Sequence, residues 1–393
     1  MDNALVVKHA KVYTENEIID HGSVVIVNDK IQAIYHQDDL PRDYAQDVTI
    51  INGAGKSLIP GFIDGHIHGA NGADVMDATE AALDKIAEVL PKEGTTSFLA
   101  TTITRPKQEI EAALANVANY PNKPGYAEVI GIHLEGPFIE KSKAGAQPIE
   151  HILPPDIDLF QQWQKVAGEK IKTITMAPEH DPNGTLIQYV SQSGVNVSAG
   201  HTKSGFADIK KAAKHGVAQL THLCNAMTGI HHRDIGAVGA AFQLTELRAE
   251  LIADGIHLSP EMMQIVYNNI GSERLILITD AMRAKCLQAG NYELGGQPVT
   301  VSKTRALLES GTLAGSILKM NDGARNMLKL SHVEIGNIIE MASVNPAKQI
   351  GMYDKKGSIT VGKDADLLLV DDDLSIGYTI CRGRVAYKGG GIT

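Results

Sequence analysis

Two histidines one residue apart, His66 and His68, end the apolar run Gly61-Phe62-Ile63-Asp64-Gly65. In a strand, side chains two residues apart point the same way, so the pair presents two imidazoles together while Ile67 turns aside. Neighbouring ligands of one metal ion can be held in this way. In a chain with 15 histidines a lone pair would carry little weight. Four more residues able to bind metal stand at the ends of apolar runs of their own. They are Glu135 in Ile132-His133-Leu134-Glu135, His201 after Val197-Ser198-Ala199-Gly200, His222 after Gln219-Leu220-Thr221, and Asp280 after Leu277-Ile278-Thr279. Imidazole and carboxylate suit zinc, iron and similar divalent cations. Four histidines bridged by Glu135 could hold two ions ~3.5–4 Å apart, which would acidify a shared water. Asp280 would stand at the edge of that group.

Such a site requires a fold that gathers distant strand ends. After the His-x-His strand, strand-like runs recur at Thr96–Ala100, Val129–Leu134, Ile171–Met176, Val195–Ala199, Ala218–Thr221, Glu250–Ala253 and Arg274–Thr279. Helix-like stretches separate most of them: Glu80–Leu90, Lys107–Asn119, Asp158–Lys165, Thr185–Gln192, Phe206–Lys214 and Pro260–Asn269. Eight strands with crossovers predict an α/β fold, a (β/α)8 TIM-type barrel, whose chemistry sits at the C-terminal strand ends. The sixth crossover, Asn225–Glu246, is Gly-rich and poorly periodic, as expected of a substrate loop.

Both ends of the chain read differently. Short β-rich runs at Ala4–Val7, Ser23–Val27, Ile31–Tyr35 and Val48–Ile51 are matched by Asp366–Val370, Ile376–Ile380 and Arg382–Tyr387. We expect a small discontinuous β-sandwich domain, residues 1–57 with 348–393, beside a barrel of residues 58–347.

The chain of 393 residues is 43% hydrophobic and 21% charged, the balance of a well-packed protein. A net charge of −10 argues against nucleic acid or an anionic membrane as partner. An anionic small substrate would need local positive charge, and His231-His232-Arg233 is a basic cluster within the irregular crossover. Residues 1–10 lack the features of a signal peptide, no apolar run reaches membrane-span length, and three scattered cysteines fit a reducing compartment, so we expect a cytoplasmic protein.

Taken together, these motifs resemble the amidohydrolase superfamily and, within it, the family of N-acetylglucosamine-6-phosphate deacetylases. The resemblance spans nearly the whole chain. It rests on residues 60–69, His133-Leu134-Glu135-Gly136-Pro137-Phe138, Ala199-Gly200-His201-Thr202, Thr221-His222-Leu223-Cys224-Asn225-Ala226-Met227, residues 231–233, residues 252–257, Thr279-Asp280-Ala281 and Leu313-Ala314-Gly315-Ser316. It implies hydrolysis of an amino-sugar phosphate in amino-sugar catabolism. Glu135, His201 and His222 would bind the ion common to the family, and His66 and His68 a second, zinc or iron, with Asp280 at the metal edge. It further implies substrate contacts from Gln147, Asn225, the Ala226 backbone, Arg233, His257, Leu313, Ala314 and Gly315. Arg233 would reach the neighbouring subunit's site in a homodimer. Other readings stay open: a deacetylase of N-acetylgalactosamine 6-phosphate, another amidohydrolase, or a non-catalytic barrel scaffold.

Overall fold

The computed structural model describes residues 4–36 and 48–390. Strands β1 (Ala4–Tyr13), β2 (Ile18–Val27) and β3 (Lys30–Tyr35) form an antiparallel meander. Strands β4 (Thr49–Asn52) and β5 (Ser57–Pro60) both run parallel to β1, β4 along Leu5–Lys8 and β5 along Lys11–Val12. This part of the sheet is therefore mixed rather than purely antiparallel. Register breaks between Val7 and Val12 bend β1, and a bent strand can offer its two halves to different partners.

Strand β6 (Phe62–Ile67) opens the barrel. A minimal hairpin, β7 (Gly69–Ala70) with β8 (Ala73–Asp74), leads to α1 (Glu80–Val89). Next come β9 (Thr95–Thr102), α2 (Lys107–Asn119), β10 (Glu128–Glu135), α3 (Ile157–Val166) and β11 (Ile171–Met176). They are followed by α4 (Thr185–Gln192), β12 (Asn196–Ala199), α5 (Phe206–His215), β13 (Val217–Leu220), α6 (Gly236–Gln243), β14 (Arg248–Ile252), α7 (Pro260–Ile270) and β15 (Leu275–Ile278). The strands β6 and β9 to β15 pair in sequence order and all run parallel. They form the expected eight-stranded (β/α) barrel.

Local chemistry explains the alternation. The whole of β9 is buried, as a parallel strand covered on both faces must be. Helix α2 buries Ile110, Ala113, Leu114 and Val117, one stripe at helical spacing. Helix α7 starts at Ser259, whose side chain accepts from the Met262 N–H, with Pro260 in the first turn. By contrast α6 buries every residue from Gly236 to Ala241, so its sequence has no polar face and no legible period.

Beyond β15 the chain makes an excursion that the sequence reading passes over. Strands β16 (Gly290–Leu294), β17 (Gln297–Val301) and β18 (Ala306–Leu308) form an antiparallel sheet. It packs Leu294, Val299, Val301 and Ala306 against Ile103, Met282 and Ala314. Helices α8 (Met320–Leu328), α9 (Ile335–Ile339) and α10 (Asn345–Gln349), the last two joined by a π-helical turn, lead back to the termini. There β19 (Leu367–Val370) pairs with β5, and β20 (Ile376–Cys381) and β21 (Arg384–Lys388) complete the sheet. Both chain ends thus build one sheet around its own core, which joins Val7, Val24 and Ile31 to Leu367 and Ile380. The sheet curls far enough for Gly383 to approach Asn28: a Cβ on Gly383 would collide with the Asn28 carbonyl. Strands from the two ends are thus joined in one mixed sheet.

The seam between β6 and β15 closes the barrel by other means than a full ladder. At the top, the Asp280 N–H donates to His66 O at 2.8 Å. Below it the fully buried Asp64 carboxylate accepts from the Thr279 Oγ1 at 2.5 Å and from the Thr279 N–H at 3.2 Å. Asp64→Ala strands these donors in a dry environment. The expected loss is about 3 kcal/mol of stability, read as a lower urea midpoint at unchanged slope.

Candidate metal centre

All six ligand-type residues reach the C-terminal mouth of the barrel, and all are buried. His66 and His68 come from the end of β6 and Glu135 is the last residue of β10. His201, His222 and Asp280 each lie two residues beyond a strand end. At these three positions the backbone is left-handed, with φ of 47°, 29° and 47°. Non-glycine residues rarely adopt that conformation, and it concentrates where a site requires it. Here it turns each side chain off its strand and into the mouth.

Two triads result, His66 with His68 and Asp280, and Glu135 with His201 and His222, each with its ligand atoms within 4.8 Å of one another. Glu135 lies between them. Its Oε1 is 3.1 Å from His201 Nε2, 3.2 Å from His222 Nε2 and 3.4 Å from His66 Nε2, while Oε2 is 3.3 Å from His68 Nε2. Asp280 Oδ1 is 3.3 Å from His68 Nε2 and 3.5 Å from His66 Nε2.

The donor set fits a divalent cation. His201 Nδ1 donates to the Lys143 carbonyl at 2.8 Å, and His66 Nδ1 to the Glu250 carboxylate at 3.0 Å. Each bond fixes the ring and leaves Nε2 aimed at the cluster, the arrangement found behind metal-bound histidines. The Nε2 atoms of His201 and His222 face each other at 3.1 Å, and His66 Nε2 is buried without a hydrogen-bond partner.

The two carboxylates draw positive charge into the cluster. Burial opposes ionisation of Glu135, but His66 beside it, with hydrogen bonds from His201 and His222, holds its carboxyl well below the usual range. Asp280 is brought down to about 2 against the same burial by His66 and His68. Burial would lower the pKa of His68, yet hydrogen bonds to Asp280 and Glu135 raise it to about 9.

A cavity of about 320 Å³ opens above the cluster. Of the substrate residues expected from sequence, Gln147, Asn225, Ala226, His257, Leu313 and Gly315 line it. Ala314 does not, being packed into the core beneath the excursion. Nor does Arg233, which is exposed on the 231–234 turn with its guanidinium 2.7 Å from His232 Nε2. Gln147 does more than face the cavity: its amide donates to Glu135 Oε2 at 2.7 Å and accepts from the Thr104 N–H at 2.8 Å.

Glu250 escapes the sequence reading altogether. It begins what reads as an ordinary apolar strand, yet it binds His66 and also accepts from the His222 N–H at 3.1 Å and the Gln219 amide at 2.6 Å. The available signal is an acid inside a barrel strand, where no charge belongs without a partner.

The family model described as "Amidohydrolase family" matches residues 57–386. The chain belongs to the amidohydrolase family. Its relatives are more specific. An N-acetylglucosamine-6-phosphate deacetylase of Bacillus subtilis is 46% identical over 98% of both chains. An N-acetylgalactosamine-6-phosphate deacetylase of Escherichia coli O157:H7 is 35% identical over 97% of this chain and 99% of its own. The crystal structure of an N-acetylglucosamine-6-phosphate deacetylase from Thermotoga maritima, 32% identical, superposes with a TM-score of 0.86 over 98% of this chain and 100% of that one.

Two outcomes test the site of this amidohydrolase. Glu250→Gln removes the anion that orients His66, and metal affinity should fall about 10- to 100-fold in a chelator-competition titration. His133, buried below the cluster, has its pKa lowered to about 4 by burial and by His66. The unfolded chain binds this proton from pH ~6.5 downward and the folded one only near 4. Stability should therefore drop by about 3 kcal/mol as pH falls through that window, and His133→Gln should flatten the slope in denaturant melts.

Proposed function

We propose that this amidohydrolase removes the acetyl group from N-acetyl-D-glucosamine 6-phosphate, giving acetate and D-glucosamine 6-phosphate. One observation carries the reading. Buried carboxylate and imidazole ligands converge in a cavity that is also lined by Asn225, Ala226 and His257, groups able to bind a sugar phosphate. The named relatives act on this substrate or its galactose epimer, and the higher identity lies with the glucosamine enzyme.

In this reading Glu135, His201 and His222 hold one divalent ion, and His66 and His68 a second, of zinc or iron. A bound cation supplies Lewis acidity, lowering the pKa of a water from ~15.7 towards ~7 and polarising the acyl carbonyl. The remaining work falls to the chain itself. Asp280, ionised at neutral pH, takes the proton of the attacking water as the new C–O bond forms. It then returns that proton to the sugar nitrogen as the C–N bond breaks, because an amide anion is too poor a leaving group to depart unaided. Gln147 and Glu250 keep Glu135 and His66 in register. Asn225, the Ala226 backbone and His257, whose Nδ1 donates to Asp254 at 2.7 Å, bind the sugar and its phosphate.

We further propose a homodimer in which Arg233 grips the phosphate in the partner's site, a role suited to a guanidinium that stands outside its own cavity. The division into a terminal domain of residues 1–57 and 348–393 and a barrel of 58–347 belongs to the same reading. Among the described residues no helix is long and apolar enough to cross a membrane. With three free cysteines, a cytoplasmic enzyme is the reading we adopt.

Acetate release from N-acetylglucosamine 6-phosphate, assayed with and without chelator and against the galactose epimer, tests the substrate. Chelation should abolish turnover and added zinc or iron restore it. Asp280→Asn should keep the ion at Glu135, His201 and His222 yet lower kcat by about 10²- to 10⁴-fold. Near-normal turnover in that variant would remove Asp280 from the mechanism.

A further inference from the structure

We infer that Ile103 and Leu294 form the wall that seats the acyl methyl group and so set which N-acyl chains this enzyme accepts. The inference rests on the substrate reading above. The cavity lining is chemically mixed. Ser142, Lys143, Asn225 and His257 offer polar contacts, which suit a hydroxylated ring and its phosphate. Ile103, Leu294 and Leu313 are its large apolar side chains, of which Ile103 and Leu294 share one apolar cluster, and the acyl methyl is the part of the proposed substrate with no polar group to satisfy.

Position supports the assignment. Ile103 follows the last residue of β9 and precedes Thr104, whose N–H holds the Gln147 side chain that in turn binds Glu135. Leu294 ends β16. Gly315, at φ +59°, stands between it and the acid-base residue. A Cβ on Gly315 would lie 2.9 Å from the Asp280 carbonyl and 3.8 Å from Leu294 Cδ2. A Cβ on Gly295, the residue after Leu294, would lie 3.2 Å from Ile103 Cδ1, and Ile103 and Leu294 belong to one apolar cluster. Ile103 and Leu294 line the same cavity as Glu135 and Asp280, where the scissile carbonyl has to sit.

The wall is also rigid. Ile103 and Leu294 are each only 2% exposed and share one apolar cluster with Val299 and Val301. Arg105 donates to the Gly295 carbonyl at 2.8 Å, and the Gln297 amide to the Ala146 carbonyl at 2.7 Å, pinning the excursion to the loops after β9 and β10. A fixed apolar wall rejects an added methylene by about 10- to 200-fold.

The test compares kcat/KM of the metal-loaded enzyme for N-acetyl- and N-propionyl-glucosamine 6-phosphate. Wild type should favour acetyl by at least about tenfold, and Leu294→Ala should raise the propionyl-to-acetyl ratio by about tenfold. Ile103→Val and Leu294→Val should raise it less, and they decide the matter if the alanine variant does not fold. A loss of packing alone would lower both rates and leave the ratio where it was. An unchanged ratio in the folded variants, with brisk acetate release by wild type, overturns the wall and leaves the substrate reading standing. No acetate release by metal-loaded wild type overturns both.

Discussion

The buried carboxylate of Glu135 is the interaction around which the mouth of the barrel is built. Its two oxygens face four imidazoles and one amide within 2.7 to 3.4 Å. A buried anion is tolerated only where opposite charge and hydrogen bonds compensate it, and here they come from four different parts of the chain. Glu135 can hold this place because β10 is hydrogen-bonded on both sides, to β9 and β11, up to its last residues. A floor shared among so many elements leaves little freedom to any one of them.

Around this rigid floor the chemistry divides between strand ends and loops. Strand ends supply the ligands, three of them through a left-handed residue. Loops supply the groups that orient ligands, the Lys143 carbonyl behind His201 and Gln147 behind Glu135. Change in the loops can thus alter what the cavity admits while the ligand frame is kept. The same division accounts for a family that retains its barrel while acting on different substrates.

Much of this was legible in the amino-acid sequence because it follows period and position. Lys107–Asn119 and Thr185–Gln192 alternate polar and apolar at helical spacing, and their ends fall where the pattern stops. His66 and His68 share a face because strands have a period of two, and their ring centroids are 5.4 Å apart. What stayed hidden lacks a period or depends on distant partners. Helix α6 is built of small residues buried all round, so no stripe marks it. The strands of the excursion are short, and a sequence cannot say that Leu294 folds back over the mouth. Glu250 is meaningful only once β14 stands beside β13 and within reach of His66. Arg233 was legible as a cation, and the resemblance already implied that it serves a neighbouring subunit's site rather than its own.

The interleaving of the two chain ends has a bearing on how the molecule is made. Strand β5 sits between β1 and β19, with Pro60 opposite Leu367. As the nascent chain leaves the ribosome, β5 emerges before the barrel and keeps one edge open until β19, which follows the barrel, has been synthesised. An open edge of that kind invites pairing with the wrong chain. The barrel lies between the two halves in sequence and can assemble while β5 waits. Completion of the terminal sheet then couples strands made before the barrel to strands made after it.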